Sequence, residues 1–217
     1  MAAAGSGLKV LCLAYIRKGG DGGSPGGTAR PVTAACSSPV AMPSAPTYPV
    51  ETAGAADAPA ICALLNRSYR GASSRRGWTT EADLIGGEVR TDGVEVLEVL
   101  SKRGSVFLVH RDGEGVPDAC VNLQDREGRA YLGMFAVEPS RQNGGLGRAM
   151  LAAAEDWARA QGCRSVFMYV ISLRRELIEW YLRRGYSDTG LRVPFPEDGR
   201  SGHHLQRLEF QVMEKGL

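Results

Sequence analysis

Arg141-Gln142-Asn143-Gly144-Gly145-Leu146-Gly147-Arg148 sets glycines, amides and two arginines between the apolar run Tyr131–Val137 and a helical pattern from Leu146 to Ala160. A strand, a glycine-rich loop and a helix in that order bind anions. The first N–H groups of a helix have no intrahelical partner, and glycines let a bulky phosphate approach them. Spacing separates three phosphate-binding readings. A P-loop would continue Gly-Lys-Ser/Thr, but Gly147 is followed by Arg148 and Ala149. A dinucleotide fingerprint needs a third glycine where Met150 stands, and an acidic residue about 20 positions on, where the chain reads Gly162-Cys163-Arg164-Ser165-Val166. What remains is Gln142-x-x-Gly145-x-Gly147.

The elements that must hold this loop are legible around it. Ala58–Tyr69 carries Ile61, Leu64, Leu65 and Tyr69 at helical spacing, with Asp57 at the N-cap position and Gly71 after its end. Thr80-Glu81-Ala82-Asp83 has the form of a capping box and predicts a second helical piece, interrupted at Gly86-Gly87. Ser105–His110, Asp118–Leu123 and Tyr131–Val137, each closed by turn residues, read as an antiparallel meander. After the loop, Leu146, Met150, Leu151, Ala154, Trp157 and Ala158 share one helix face, and Gly162 stops it. Ser165–Ile171 is nearly all apolar, as in a strand covered on both faces. A helix over Arg174–Arg184 follows, then a closing pair, Ser187–Val193 and Leu205–Met213, with His203 and His204 in an exposed loop. The order predicts an α/β fold with a mixed, mostly antiparallel central sheet flanked by helices. A short strand at Tyr48–Glu51 opens it.

Composition limits the function classes. The 217 residues suit one medium domain plus an extension. A formal charge of +2 makes no case for bulk binding of nucleic acid, and no apolar run is long enough to span a membrane. Cys12, Cys36, Cys62, Cys120 and Cys163 form no CxxC pair and have no histidine at ligand spacing. They read as reduced thiols of an intracellular protein, cytoplasmic in the first instance, with neither a disulfide framework nor a metal site. Residues 1–46 are rich in Ala, Gly, Ser and Pro and read as a disordered extension; an organelle transit peptide, which would move the protein to a mitochondrion or plastid, is kept as an alternative. The folded domain is expected over 47–217.

Gln142-x-x-Gly145-x-Gly147 resembles the coenzyme A pyrophosphate loop of the GNAT superfamily, the acyl-CoA-dependent N-acyltransferases. A second motif lies at family spacing: Trp180-Tyr181-Leu182-Arg183-Arg184-Gly185-Tyr186 is similar to the aromatic-Tyr-x-x-x-Gly-aromatic end of the family's last helix. The resemblance covers about Tyr48–Leu217 and implies the GNAT fold and transfer of acetyl from acetyl-CoA to a primary amine by direct attack in a ternary complex. It implies that Gln142, Asn143, Gly144, Gly145, Leu146, Gly147 and Arg148 hold the pyrophosphate. Phe135, Ala136 and Val137 would pair through their backbone with the pantetheine arm, one N–H polarising the thioester carbonyl. Tyr181 matches the usual general acid: a phenol with a pKa of about 10 is protonated at neutral pH and can donate to a leaving thiolate, whose acid has a pKa of about 8.5. Ser172-Leu173 stands where many members carry an asparagine.

An amine with a pKa of about 10.4 must lose a proton before it attacks. Candidate bases are Glu81, Asp83, Glu88, His110, His203 and His204, with Glu81 taken first. Tyr69–Glu81, with Trp78, Arg75 and Arg76, is the expected acceptor loop for an acidic or aromatic amine, whether small molecule or protein. No metal is called for, and a homodimer is left open. A non-catalytic acyl-CoA sensor or regulatory subunit with the same fold is the competing reading.

Overall fold

A computed structural model describes residues 48–196 and 202–217. The reading of residues 1–46, and with it Cys12 and Cys36, lies outside the described residues. The described residues belong to one compact unit.

The elements are β1 (Glu51–Thr52), α1 (Ala58–Tyr69), α2 (Gly71–Ser74), β2 (Ile85–Gly86), α3 (Gly93–Ser101), β3 (Ser105–Arg111), β4 (Pro117–Asp125), β5 (Arg129–Val137), α4 (Leu146–Ala160), β6 (Ser165–Ile171), α5 (Arg175–Leu182), β7 (Ser187–Pro194), β8 (His203–His204) and β9 (Glu209–Gly216). Seven strands form one sheet in the order β1-β3-β4-β5-β6-β9-β7. Every pairing in it is antiparallel except β5 with β6. A parallel pair needs a crossover, and α4 supplies it. The meander, the crossover and the closing pair therefore stand as the sequence predicts, with β9 inserted between β6 and β7.

Helices cover both faces. Leu146, Met150, Leu151, Ala154 and Ala158 of α4 pack with Val121, Leu123, Leu132 and Met168 of the sheet, while Ile61, Leu64 and Leu65 of α1 pack with Phe107, Val109 and Cys120. Fully burying each of these larger side chains stabilises the fold by roughly 1.5–3 kcal/mol. β4 is buried from Pro117 to Gln124 because it lies between both layers.

Three expectations are corrected. Thr80–Asp83 forms a single turn, not a helix. The Thr80 hydroxyl accepts from Ala82 N–H, but the Asp83 carboxylate pairs with Arg75, so the reciprocal bond of a capping box is not made. His203 and His204 are not in a loop: they form β8, paired with β2 in a separate two-stranded sheet. Asp57 occupies the N-cap position of α1 but does not cap it through its side chain, which accepts from Gly54 N–H and pairs with Arg111.

Candidate acyltransferase site

The glycine loop joins β5 to α4 through a 3-10 turn at Pro139–Arg141. Gly145 is the N-cap of α4 at φ +94°, a region that residues with a Cβ enter at a cost, and Asn143 lies at φ +67°. A glycine N-cap has no side chain with which to satisfy the first-turn N–H groups of α4, so they remain available to an anion. Tyr48 braces the loop by donating to Gly144 O at 2.6 Å. Behind Tyr48 stands His110, whose ring meets it edge-on; its Nδ1 lies 2.5 Å from Asp118 Oδ1, and Asp118 also pairs with Arg141 at 3.4 Å. His110 is thus held in the support of the loop.

Positive charge gathers beside the loop. The Arg148 guanidinium lies against Gly145. Arg184 stacks on the Trp180 ring at 3.5 Å and donates to Trp180 O at 2.7 Å. Burial, and then the neighbouring charges of Arg183 and Arg148, push the Arg184 pKa down. An anion among these three arginines would relieve that repulsion.

β5 opens away from β6 upstream of the loop. The parallel ladder holds only at Arg129–Tyr131 against Ser165–Phe167. Beyond it β5 bends: the β4–β5 register shifts between Cys120 and Asn122, and Met134 takes φ +46°. Glu138 N–H bonds Asp118 O, and Ala136 pairs with Cys120. Alternation along the strand therefore turns the backbone groups of Phe135 and Val137 toward the side β6 has left, and those of Ala136 toward β4. Side chains reach two of those carbonyls: Tyr69 Oη donates to Phe135 O at 2.8 Å, and Gln142 Nε2 donates to Val137 O at 3.1 Å. The Gln142 amide oxygen accepts from Trp78 N–H at 2.6 Å, so this side chain bridges two segments of protein.

Tyr181 is buried at 4 % exposure, with ring contacts to Trp180 and Tyr186, and within the electrostatic reach of Tyr69, Arg174 and Arg184. Burial pushes its pKa well above the ordinary phenol value. The same cause raises Tyr69 to about 12. Both phenols are protonated across the neutral range.

Glu81 is buried and lies between two buried arginines. Its Oε2 is 3.2 Å from Arg70 Nη2 and its Oε1 is 3.2 Å from Arg174 Nη1. Arg174 also donates to Thr79 Oγ1 at 2.6 Å, and Thr79 donates to Glu176 at 2.8 Å. The expected acceptor loop is thereby tied to the start of α5. Of its arginines, Arg75 pairs with exposed Asp83, and Arg76 donates to Ser73 Oγ on the surface. Trp78 is 38 % exposed. Asp83 and Glu88 face solvent, and His203 and His204 belong to the small sheet. Arg70, Arg90 and Arg174 carry no sequence signal of their own; Tyr69 reads in the sequence as a core residue, since it continues the spacing of Leu65.

Among the described residues no group of three His, Cys, Asp or Glu side chains is placed to hold a metal ion, and no helix is long and apolar enough to cross a membrane. Cys62, Cys120 and Cys163 are free thiols. Burial raises all three pKa values, Cys120 to about 12.

Comparison with known proteins adds the following. The model of the acetyltransferase (GNAT) family matches residues 60–186. An IAA acetyltransferase of Azospirillum brasilense is 28% identical over 103 residues, 47% of this chain and 67% of that protein. An amino-acid acetyltransferase of Ralstonia nicotianae is 28% identical over 137 residues; the match takes in 56% of this chain but only 29% of that longer protein. Among solved structures, the paiA N-acetyltransferase of Thermoplasma acidophilum in complex with coenzyme A has the same fold at a TM-score of 0.61 and 16% identity, over 79% of this chain and 99% of that one.

Proposed function

The chain belongs to the acetyltransferase (GNAT) family, and we propose that it transfers acetyl from acetyl-CoA to a primary amine by direct attack in a ternary complex. The observation that carries this reading is the opening of β5 from β6 directly upstream of a glycine-capped helix. The two features give a pantetheine arm an unpaired strand edge and a pyrophosphate a helix start.

Residues 47–217 are the catalytic domain in this reading. Backbone N–H groups over Asn143–Arg148 meet the pyrophosphate, with the Arg148, Arg183 and Arg184 charges around it. Gln142 contributes by position: its side chain fixes Val137 and Trp78 relative to each other. Phe135 and Val137 present their N–H groups to the acyl-pantetheine arm, the former polarising the thioester carbonyl, while Ala136 supports the strand through β4. Tyr181 gives its phenolic proton to the thiolate as the carbon–sulfur bond breaks, the proton lost from the attacking nitrogen restores the phenol, and its raised pKa keeps the proton in place between turnovers.

Glu81 is reassigned from base to positioning residue, because both its oxygens are engaged by guanidinium groups. The attacking amine is then drawn from its own neutral fraction, and turnover rises with pH toward the amine's pKa. The reduced thiols fit an intracellular setting.

Calorimetric titration of the full chain with acetyl-CoA and free pantetheine, followed by thiol release across an amine panel, tests the reading. Binding should depend on the pyrophosphate, and turnover on the amine. No binding at millimolar acetyl-CoA would sink it.

A further inference from the structure

Beneath the opening of β5, guanidinium groups outnumber the carboxylates that could neutralise them. Arg70 and Arg174 are 2 % and 8 % exposed and share a single buried carboxylate, Glu81. Each keeps a buried Nε without a hydrogen-bond partner. Glu176 approaches Arg174 Nε only to 3.8 Å, and its side chain is 41% exposed. Arg90 comes from a different segment. Its backbone N–H is fixed by Asn66 Oδ1 at 2.7 Å, and its guanidinium stacks on the Tyr69 ring at 4.8 Å. Among the described residues it makes no ion pair; Glu95, whose charge reaches it, accepts from the Thr91 hydroxyl, and Glu88 faces solvent. The same Tyr69 donates to Phe135 O at the bend of β5 and lies in the field of Arg90, Glu81 and Arg174 together.

An excess of buried positive charge is costly unless an anion completes it. The place where it accumulates is one tyrosine away from the strand that presents the thioester. Resting on the acyltransferase reading above, we infer that the amine accepted at this site carries a carboxylate, held by Arg90 over Tyr69 in the field of Arg70 and Arg174. Arg90 is the specificity-determining residue. A planar guanidinium that is stacked on a ring and not tied into an ion pair keeps its fork of N–H donors for a carboxylate. Arg70 and Arg174 are committed to Glu81 and act through their charge. The acceptor class is therefore small amines bearing a carboxylate, amino acids in the broad sense.

The test compares the full chain with α-, β- and γ-amino acids, each against its own carboxamide, at saturating acetyl-CoA. At least one acid should exceed its amide in kcat/KM by at least about tenfold, the scale of one charge-assisted hydrogen bond. Arg90→Gln should abolish the preference by raising KM for the acid, with acetyl-CoA affinity unchanged, and Arg90→Lys should restore part of it. Amides used as well as acids, or an unchanged acid preference in Arg90→Gln, would overturn the inference while leaving the acyltransferase reading intact. So would an enzyme that binds acetyl-CoA yet turns over none of the acids. Failure to bind acetyl-CoA would remove the reading on which the inference rests, and the inference with it.

Discussion

Glu81→Gln separates two roles that sequence alone leaves joined. As a base, Glu81 would matter for turnover and little for folding. As the shared anion of Arg70 and Arg174, it should matter for folding first. Removing one partner from a buried ion pair costs about 3–5 kcal/mol, because the remaining charge is stranded. Here both pairs are 3.2 Å long and every side chain involved is at most 9% exposed, so solvent screening is weak. The glutamine oxygen still accepts one bond, which puts the expected loss near the lower edge, about 3 kcal/mol. With a urea slope of about 2 kcal/mol/M the midpoint should fall by about 1.5 M. The thermal midpoint should fall by roughly 6–12 °C for a domain of this size. Replacing Arg174 by Met in the same chain removes one stranded charge and should recover about 1 kcal/mol or more. Urea melts of the wild type and the two variants, with turnover measured below each transition, decide the matter. An unchanged midpoint together with a hundredfold loss of turnover would refute the positioning role and return Glu81 to the base.

Four further outcomes follow from the same geometry. Gly145→Ala places a Cβ at φ +94° and should cost about 1–2 kcal/mol, seen as a roughly 5- to 30-fold weaker acetyl-CoA affinity by calorimetry if the strain is met by distorting the loop. Gly144→Ala, whose Cβ would meet nothing closer than 3.6 Å, should leave stability within about 0.5 kcal/mol. Tyr181→Phe should lower kcat by about 10²- to 10⁴-fold with acetyl-CoA affinity preserved, and since burial raises the phenol's pKa, the wild-type rate should show no alkaline fall from this group below pH of about 10. Burial also raises Tyr69, Tyr186 and Cys120, so the folded state holds these protons more tightly than the unfolded chain does. Their contribution to stability is full below the unfolded values of about 8.5 for the thiol and about 10 for the phenols, and it is lost as pH climbs toward the folded ones. Urea midpoints should therefore drop between pH of about 9 and 11, with tyrosinate absorbance appearing together with unfolding; a flat midpoint would contradict the burial argument.

What the sequence reveals is what depends on neighbours along the chain. α1, α4 and β6 have the bounds their periodicity predicts, since each buries one continuous face or run. The loop is legible for the same reason: a helix start bound by backbone groups needs only contiguous glycines. α3 is not read as a helix, although Asp92 caps it by accepting from Glu95 N–H at 2.8 Å. Val94, Val96 and Val99 blur its pattern, because β-branched residues favour strands. The Thr80–Asp83 turn misleads in the opposite direction: the pattern is correct for a cap, but Arg75, Arg70 and Arg174 take the two carboxylates elsewhere.

The proposed acceptor side is illegible for a more general reason. Its charges come from the end of α1, the turn before β2, the segment before α3 and the start of α5, and nothing in the spacing of Arg70, Glu81, Arg90 and Arg174 announces that they meet. The two halves nevertheless communicate through a motif residue. Gln142 holds Val137 O with one end of its amide and Trp78 N–H with the other. A side chain that the loop motif alone would assign to the cofactor is spent joining β5 to the segment before β2. Movement of either segment must then break one of these two hydrogen bonds, so in the proposed mechanism the distance between acceptor loop and thioester strand is set by the protein before either substrate arrives. In the proposed mechanism, preorganisation of that kind takes the place of a catalytic base close to the thioester. That mechanism needs a neutral amine, a polarised carbonyl and a proton on Tyr181, and of these three only the amine's neutral form is left to solution pH.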